Sequence, residues 1–134
     1  AQMIQDAYPS SYGIQYIPRG FCWDDDSVVP CGFKVGSTSI GRLATRIREI
    51  EKNTRRVLRD ERWYCLVAAT VAPTRNRAYI MENAVRDYYE HDLGYEVGAT
   101  LDHFIGYETN PQELYSNPWI QKAMNLAGAT LCLN

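Results

Sequence analysis

The hydrophobic positions change period along the chain, and each change marks an element. The stretch 12-YGIQYI-17 is short, apolar and aromatic and reads as a strand, ended by Pro18, Arg19 and Gly20. The segment 21-FCWDDDSVVPC-31 then reads as a long connection carrying three aspartates, and 32-GFKV-35 as a second strand closed by Gly36. These two pair antiparallel, with the acidic segment as an elongated hairpin loop. Ser37, Thr38 or Ser39 offers an N-cap. Beyond it Ile40, Leu43, Ile47, Ile50 and, further on, Val57 and Leu58 form one apolar helical stripe, which Asn53 and Thr54 could interrupt. The most continuous apolar run, 63-WYCLVAATVA-72, reads as a central strand ended by Pro73. A second helix is predicted from Thr74 or Arg75 to His91, with Ala78, Met81, Ala84, Val85 and Tyr88 inward and Gly94 as its stop. The stretch 95–110 is irregular or contains a short strand. Asn117-Pro118 opens a third helix with proline at its first position, turning Trp119, Ile120, Ala123, Met124 and Ala127 inward. The order ββαβαα predicts an α+β fold, a small three-stranded antiparallel sheet flanked by helices. It forms a single domain over residues 1–134, with a core at about 12–90 and a C-terminal helical extension at about 111–128.

Composition narrows the class. With 46% hydrophobic and 22% charged residues, the chain has no collagen-like, disordered or low-complexity character. No apolar run approaches the ~18 residues of a membrane span, and the opening 1-AQMIQDAYPS-10 has no basic region followed by an apolar one. The expectation is an intracellular protein, of cytoplasm or nucleus, with no membrane partner. Cys22, Cys31, Cys65 and Cys132 are spaced 9, 34 and 67 residues apart, with no C-x-x-C pair to suggest a zinc ribbon or thioredoxin-like centre. Cys65, inside the central apolar run, reads as a buried thiol. Cys22 and Cys31 could face each other across a hairpin, although reduced thiols are the expected state.

Charge is where the sequence becomes uneven. The formal charge is −2, yet eight of the 14 Lys and Arg fall between Arg42 and Arg62. An acidic total argues against indiscriminate nucleic-acid binding by the whole surface but leaves room for a basic stripe. Arg48, Lys52, Arg55, Arg59 and Arg62 form such a line, and Arg42 and Arg46 sit on an adjacent face. The line is either a solvated helix face balanced by Glu49, Glu51, Asp60 and Glu61, or a surface for phosphates. Arg42 and Arg46 follow a strand–turn–helix junction, where free amides and planar guanidinium donors suit a phosphate.

Glu82, in 78-AYIMENAVRDYY-89, lies four residues after Ala78 and three before Val85, on the margin of the apolar helix face. A carboxylate turned toward a sheet needs a cation, a metal or hydrogen bonds, and the plain alternative is a salt-bridged or snorkelling side chain. Other clusters read more simply. Asp24, Asp25 and Asp26 lack the alternate spacing of a calcium loop and read as an exposed turn. His91 and His103, with Glu90, Asp92 and Asp102 near, could hold a metal, but a helix-end His91 meeting the dipole is the better reading. Trp119 and Tyr115 read as core and core rim rather than as a base-stacking platform.

Taken together, Gly13-Ile14-Gln15-Tyr16-Ile17, Lys34-Val35-Gly36-Ser37-Thr38, arginines on the following helix and a lone Glu82 on the next resemble the GIY-YIG nuclease domain over residues 12 to about 90. Gln15 stands at the first motif's tyrosine, with Tyr16 beside it, and Lys34 stands where the second tyrosine often sits. The resemblance implies a three-stranded antiparallel sheet with flanking helices. It also implies hydrolysis of a DNA phosphodiester with one Mg²⁺ or Mn²⁺ held chiefly by Glu82. Arg46, or Arg42, would clamp the scissile phosphate, and Tyr16 or Lys34 would act on the attacking water. Arg48, Lys52, Arg55, Arg59 and Arg62 would contact backbone phosphates, and a homodimer would be compatible with cutting both strands. Two readings stand against it: a non-catalytic nucleic-acid-binding or protein-interaction module on the same scaffold, and a secreted, disulfide-stabilised ligand-binding domain using Cys22, Cys31 and the acidic loop.

Overall fold

A computed structural model describes residues 2–58, 62–98, 103–106 and 110–132. Strand β1 (Gly13–Asp24) is its spine. Along one side β1 pairs antiparallel with β4 (Trp63–Ala72), and along the other with β2 (Ser27–Lys34) and then β3 (Gly36–Ser39). Two-residue strands β5 (His103–Phe104) and β6 (Thr130–Leu131) extend the sheet, giving the order β5-β2-β1-β4-β6 with β3 beside β1. The α+β architecture expected from the sequence is present, with the expected three strands at its centre.

The hairpin departs from expectation. Pro18, Arg19 and Gly20 do not end β1; the register shifts between Ile17 and Pro18 against β4, and between Arg19 and Phe21 against β2. A bulge is where a proline, having no N–H, fits a central strand. The stretch Phe21–Cys31, a loop by its composition, is strand on both sides. Phe21, Cys22, Trp23 and Asp24 pair with Pro30, Val29, Val28 and Ser27, leaving Asp25 and Asp26 as the turn. Asp25 takes φ 53, a left-handed conformation that aspartate tolerates. Cys22 therefore lies opposite Val29, not Cys31, and all four cysteines are free thiols. That removes the disulfide on which the secreted-domain reading depended.

Helices cover both faces of the sheet at one end. On one face α2 (Leu43–Leu58), entered through a 3₁₀ turn at Ile40–Arg42, packs Ile40, Leu43 and Ile50 against Ile14, Tyr16, Ala69 and Val71. It runs unbroken through Asn53 and Thr54, and buried Thr54 shares a 3.2 Å hydrogen bond with the Tyr64 hydroxyl. The short α1 (Gln2–Ala7), not anticipated from sequence, adds Ile4 to this cluster. The side chains of Val57 and Leu58 lie outside the described residues. On the opposite face α3 (Arg75–Asp87), α4 (Pro111–Ser116) and α5 (Pro118–Ala127) pack Met81, Val85, Leu114 and Ile120 against Ile17, Phe33 and Ala68. The N-terminus of α3 crosses so close to β1 that a Cβ on Gly13 would lie 2.3 Å from the Thr74 carbonyl oxygen. Buried Gln15 faces this side too, its Oε1 accepting 3.0 Å hydrogen bonds from the hydroxyls of Thr70 and Tyr115.

Two inward assignments are corrected and one is extended. The α3 helix passes at Asp87 into a π turn, Tyr88–Asp92, where Tyr88 is half-buried against the core as expected and Tyr89, four residues after Val85, is the fully buried ring. In α5, Asn117 Oδ1 accepts from the Trp119 and Ile120 amides at 2.9 and 3.3 Å, and the inward stripe is Ile120, Met124 and Ala127. One residue earlier is a rotation of about 100°, so Trp119 points to solvent at 63% exposure. Cys65 is exposed because it alternates with Tyr64, which faces α2, and so lies on the opposite face of β4, which is uncovered there. Among the described residues, no helix is long and apolar enough to cross a membrane.

Candidate functional site

Where β2 passes into β3 the sheet has an edge, and a pocket of about 120 Å³ opens across it. Its walls come from elements far apart in sequence: Tyr16 from β1, Lys34 to Ser37 from the strand junction, Arg46 and Ile50 from α2, Glu82 and Arg86 from α3. Four of the five residues singled out for chemistry (Tyr16, Lys34, Arg46 and Glu82) thus line one pocket. Arg42 does not. It sits in the 3₁₀ turn, 57% exposed, with Nη2 3.6 Å from Glu49 Oε1. A full helical turn later, Arg46 reaches the pocket instead.

The register explains how Tyr16 comes to be here. Gly13, Ile14, Gln15 and Tyr16 pair with Ser39, Thr38, Ser37 and Gly36 without a shift. No bulge is needed to present Tyr16: strand alternation alone turns Gln15 to the α3 side and Tyr16 to the α2 side. Gly36 is glycine for a steric reason. The Tyr16 ring crosses it, and a Cβ there would lie 2.9 Å from both Cζ and the hydroxyl oxygen.

Arg46 bonds Glu49 and the Tyr16 hydroxyl. Burial works against its charge, but the Glu49 carboxylate and Tyr16 outweigh that cost and hold the guanidinium above its ordinary pKa. Lys34 is buried, with 5% of its surface exposed. Ser37 Oγ donates a 2.7 Å hydrogen bond to Glu82 Oε1. The other oxygen of Glu82 makes no hydrogen bond or ion pair among the described residues. Arg86, one turn after Glu82, is steadied by Phe104, whose ring centre is 5.6 Å from the guanidinium carbon. Sequence reasoning missed Arg86 and read Ser37 as a helix cap. The signal for Arg86 was its i, i+4 spacing from Glu82.

Lys34, Arg46 and Arg86 line the pocket with one carboxylate, Glu82, and Glu49 pairs with Arg46 behind it. Ammonium and guanidinium donors side by side suit an oxyanion such as a phosphate. Glu82 could also hold a divalent cation through its open oxygen, and about 120 Å³ leaves room for roughly four waters at ~30 Å³ each. One carboxylate with several waters fits Mg²⁺, which keeps its hydration. Among the described residues no three His, Cys, Asp or Glu side chains converge on a metal-sized site. His91 is exposed at the end of the π turn, with Nε2 4.0 Å from Asp87 Oδ1; the His103 side chain and Asp102 lie outside the described residues.

On α2 the acidic residues that could balance the basic line are engaged elsewhere. Glu49 serves Arg46 and Arg42, and Glu51 Oε2 accepts a 2.9 Å bond from the Tyr64 amide. Arg48, Lys52 and Arg55 remain as an exposed basic ridge, with Arg56 exposed beside it. Arg59 lies outside the described residues, as do Asp60 and Glu61. Arg62 does not continue the ridge: it is half-buried ahead of β4, bonded to Tyr64 and packed near Gly20. No protein-family model, curated protein or solved structure matches this chain.

Proposed function

We propose that this protein is a divalent-metal-dependent endonuclease of the GIY-YIG type, hydrolysing DNA phosphodiester bonds at the pocket between α2 and α3. One observation carries the reading: Tyr16, Lys34, Arg46 and Glu82, named from sequence for this chemistry, line one small pocket. In this scheme the scissile phosphate enters with a non-bridging oxygen on Arg46, which Glu49 holds in place. Arg86 meets a second oxygen from the opposite wall. Tyr16, once its hydroxyl has lost its proton to solvent beside the Arg46 guanidinium, accepts the proton of the attacking water as a phenolate and becomes neutral, while Lys34 stabilises the negative charge that builds on the phosphate oxygens. Ser37 fixes the rotamer of Glu82 so that one carboxylate oxygen points into the pocket. A bound Mg²⁺ or Mn²⁺ would supply charge neutralisation at the leaving oxygen. The ridge Arg48–Lys52–Arg55 would hold the flanking duplex through its phosphates, in a salt-sensitive and sequence-independent manner.

The test is incubation with supercoiled plasmid, with and without Mg²⁺ or Mn²⁺, beside Glu82→Ala. Wild type should nick or linearise the plasmid only with metal, and the variant should lose about 10²–10³-fold in rate while keeping its DNA affinity. An active variant would sink the assignment of Glu82. Binding without cleavage by the wild type would favour the non-catalytic module.

A further inference from the structure

The stripe that carries Glu82 continues beyond the pocket. Along α3, Arg75, Tyr79, Glu82 and Arg86 follow at spacings of four, three and four residues, one line about 16 Å long. Glu82 and Arg86 line the pocket already described. Glu82 and Ser37 also close the inner end of a second recess of about 330 Å³, whose outer wall is Arg75, Asn76 and Tyr79. The 2.7 Å Ser37–Glu82 hydrogen bond is therefore a partition shared by two cavities.

The outer wall is chemically specific. Tyr79 is 55% exposed, and Arg75 and Asn76 are exposed with it. None of their side chains makes a hydrogen bond, ion pair or ring contact among the described residues. A single exposed aromatic is ordinary on a surface. Here, however, a flat ring, a guanidinium and an amide stand together on the rim of a recess that opens onto the candidate catalytic carboxylate. An aromatic face beside a cation is the combination that holds a nucleobase and its phosphate.

We propose that this recess binds the nucleotide adjoining the scissile phosphate, with its base stacked on Tyr79, the next phosphate on Arg75 and Asn76 bonded to the base or sugar edge. The inference rests on the nuclease reading of the inner pocket and gives the substrate strand a path, along α3 from Arg75 toward Arg86. Because every base has a π face, Tyr79 requires a base at that position without selecting which one.

The experiment uses a duplex whose cut position has been mapped, with an abasic residue placed in turn at each nucleotide flanking the cut. Wild type and Tyr79→Phe should lose roughly 10-fold in kcat/KM when one flanking position is abasic. Tyr79→Ala should begin roughly 10-fold lower on intact DNA and lose nothing further at that position, since the stacking partner is already gone. A Tyr79→Ala protein with the wild-type abasic profile would overturn the subsite while leaving the nuclease reading intact. Wild-type protein that fails to cut any DNA in Mg²⁺ or Mn²⁺ would overturn both.

Discussion

The two ends of β1 belong to one strand and are covered to different degrees and by different means. From Gly13 to Pro18 every residue is buried, because helices cover both faces. From Phe21 to Asp24 the strand runs beyond those helices, and its rings cover one another instead. Phe21 and Trp63 stack at 6.2 Å, Trp23 lies 6.2 Å from Trp63, and Arg19 sits 6.0 Å over Phe21. The covered end dictates side chains in detail: Gly13 and Gly36 are the residues that fit there. The free end asks only for residues that suit an antiparallel ribbon. The candidate site lies at the covered end, where packing from two sides can lock rotamers to the precision that chemistry needs.

The largest expected difference comes from one alanine substitution at each end. Gly13→Ala forces its Cβ into the backbone of Thr74 and should cost about 3 kcal/mol, or about 10 °C in Tm. Trp23→Ala, removing a 60% exposed ring, should cost under ~1 kcal/mol. Urea unfolding of both variants decides it, and equal losses would mean that the free end is as constrained as the covered one.

Gly36→Ala separates stability from chemistry. Its Cβ would meet the Tyr16 hydroxyl at 2.9 Å, contact with the end of a ring rather than with backbone, so about 1 kcal/mol is expected. Displacing that hydroxyl from Arg46 should lower plasmid cleavage about 10²-fold with DNA affinity retained. Cleavage at the wild-type rate would remove Tyr16 from the mechanism.

The smallest effect concerns the thiols. Cys65 is exposed at the free end, whereas Cys132 packs against the cluster under α2, where burial raises its thiol from the ordinary 9.0 to about 11. At pH 8 Cys65 should react first with a disulfide reagent and Cys132 last. A raised thiol pKa means that the folded state favours the protonated form. Its contribution to stability should be complete below about pH 9 and lost as pH rises through about 11. Alkylation timed by mass spectrometry reads the order, and equal rates would show that Cys132 is not shielded.

Much of the covered end was legible in the sequence because periodicity reports burial. The run Trp63–Ala72, the Ala78–Met81–Val85 stripe and the Asn117-Pro118 cap each predict their element. The free end was illegible for the same reason. Three aspartates and two prolines in and around it read as a loop, while cross-strand aromatic pairing, which a linear pattern cannot display, makes it a hairpin. Trp119 and Cys65 failed similarly, each lying in an apolar context but at a position the helical layer does not cover.

The α+β order, the concentration of arginine on one helix and the marginal placement of Glu82 were readable along the chain, because each follows from spacing. Which candidates meet depends on the packing of distant elements. Strand alternation sends Tyr16 and Gln15 to opposite faces, and one helical turn separates Arg46 in the pocket from Arg42 outside it. Arg86, Ser37 and the Tyr79 recess join the site for the same physical reason. A pocket at a sheet edge is assembled from elements whose approach is fixed by the two cores packed behind them, not by any local run of residues.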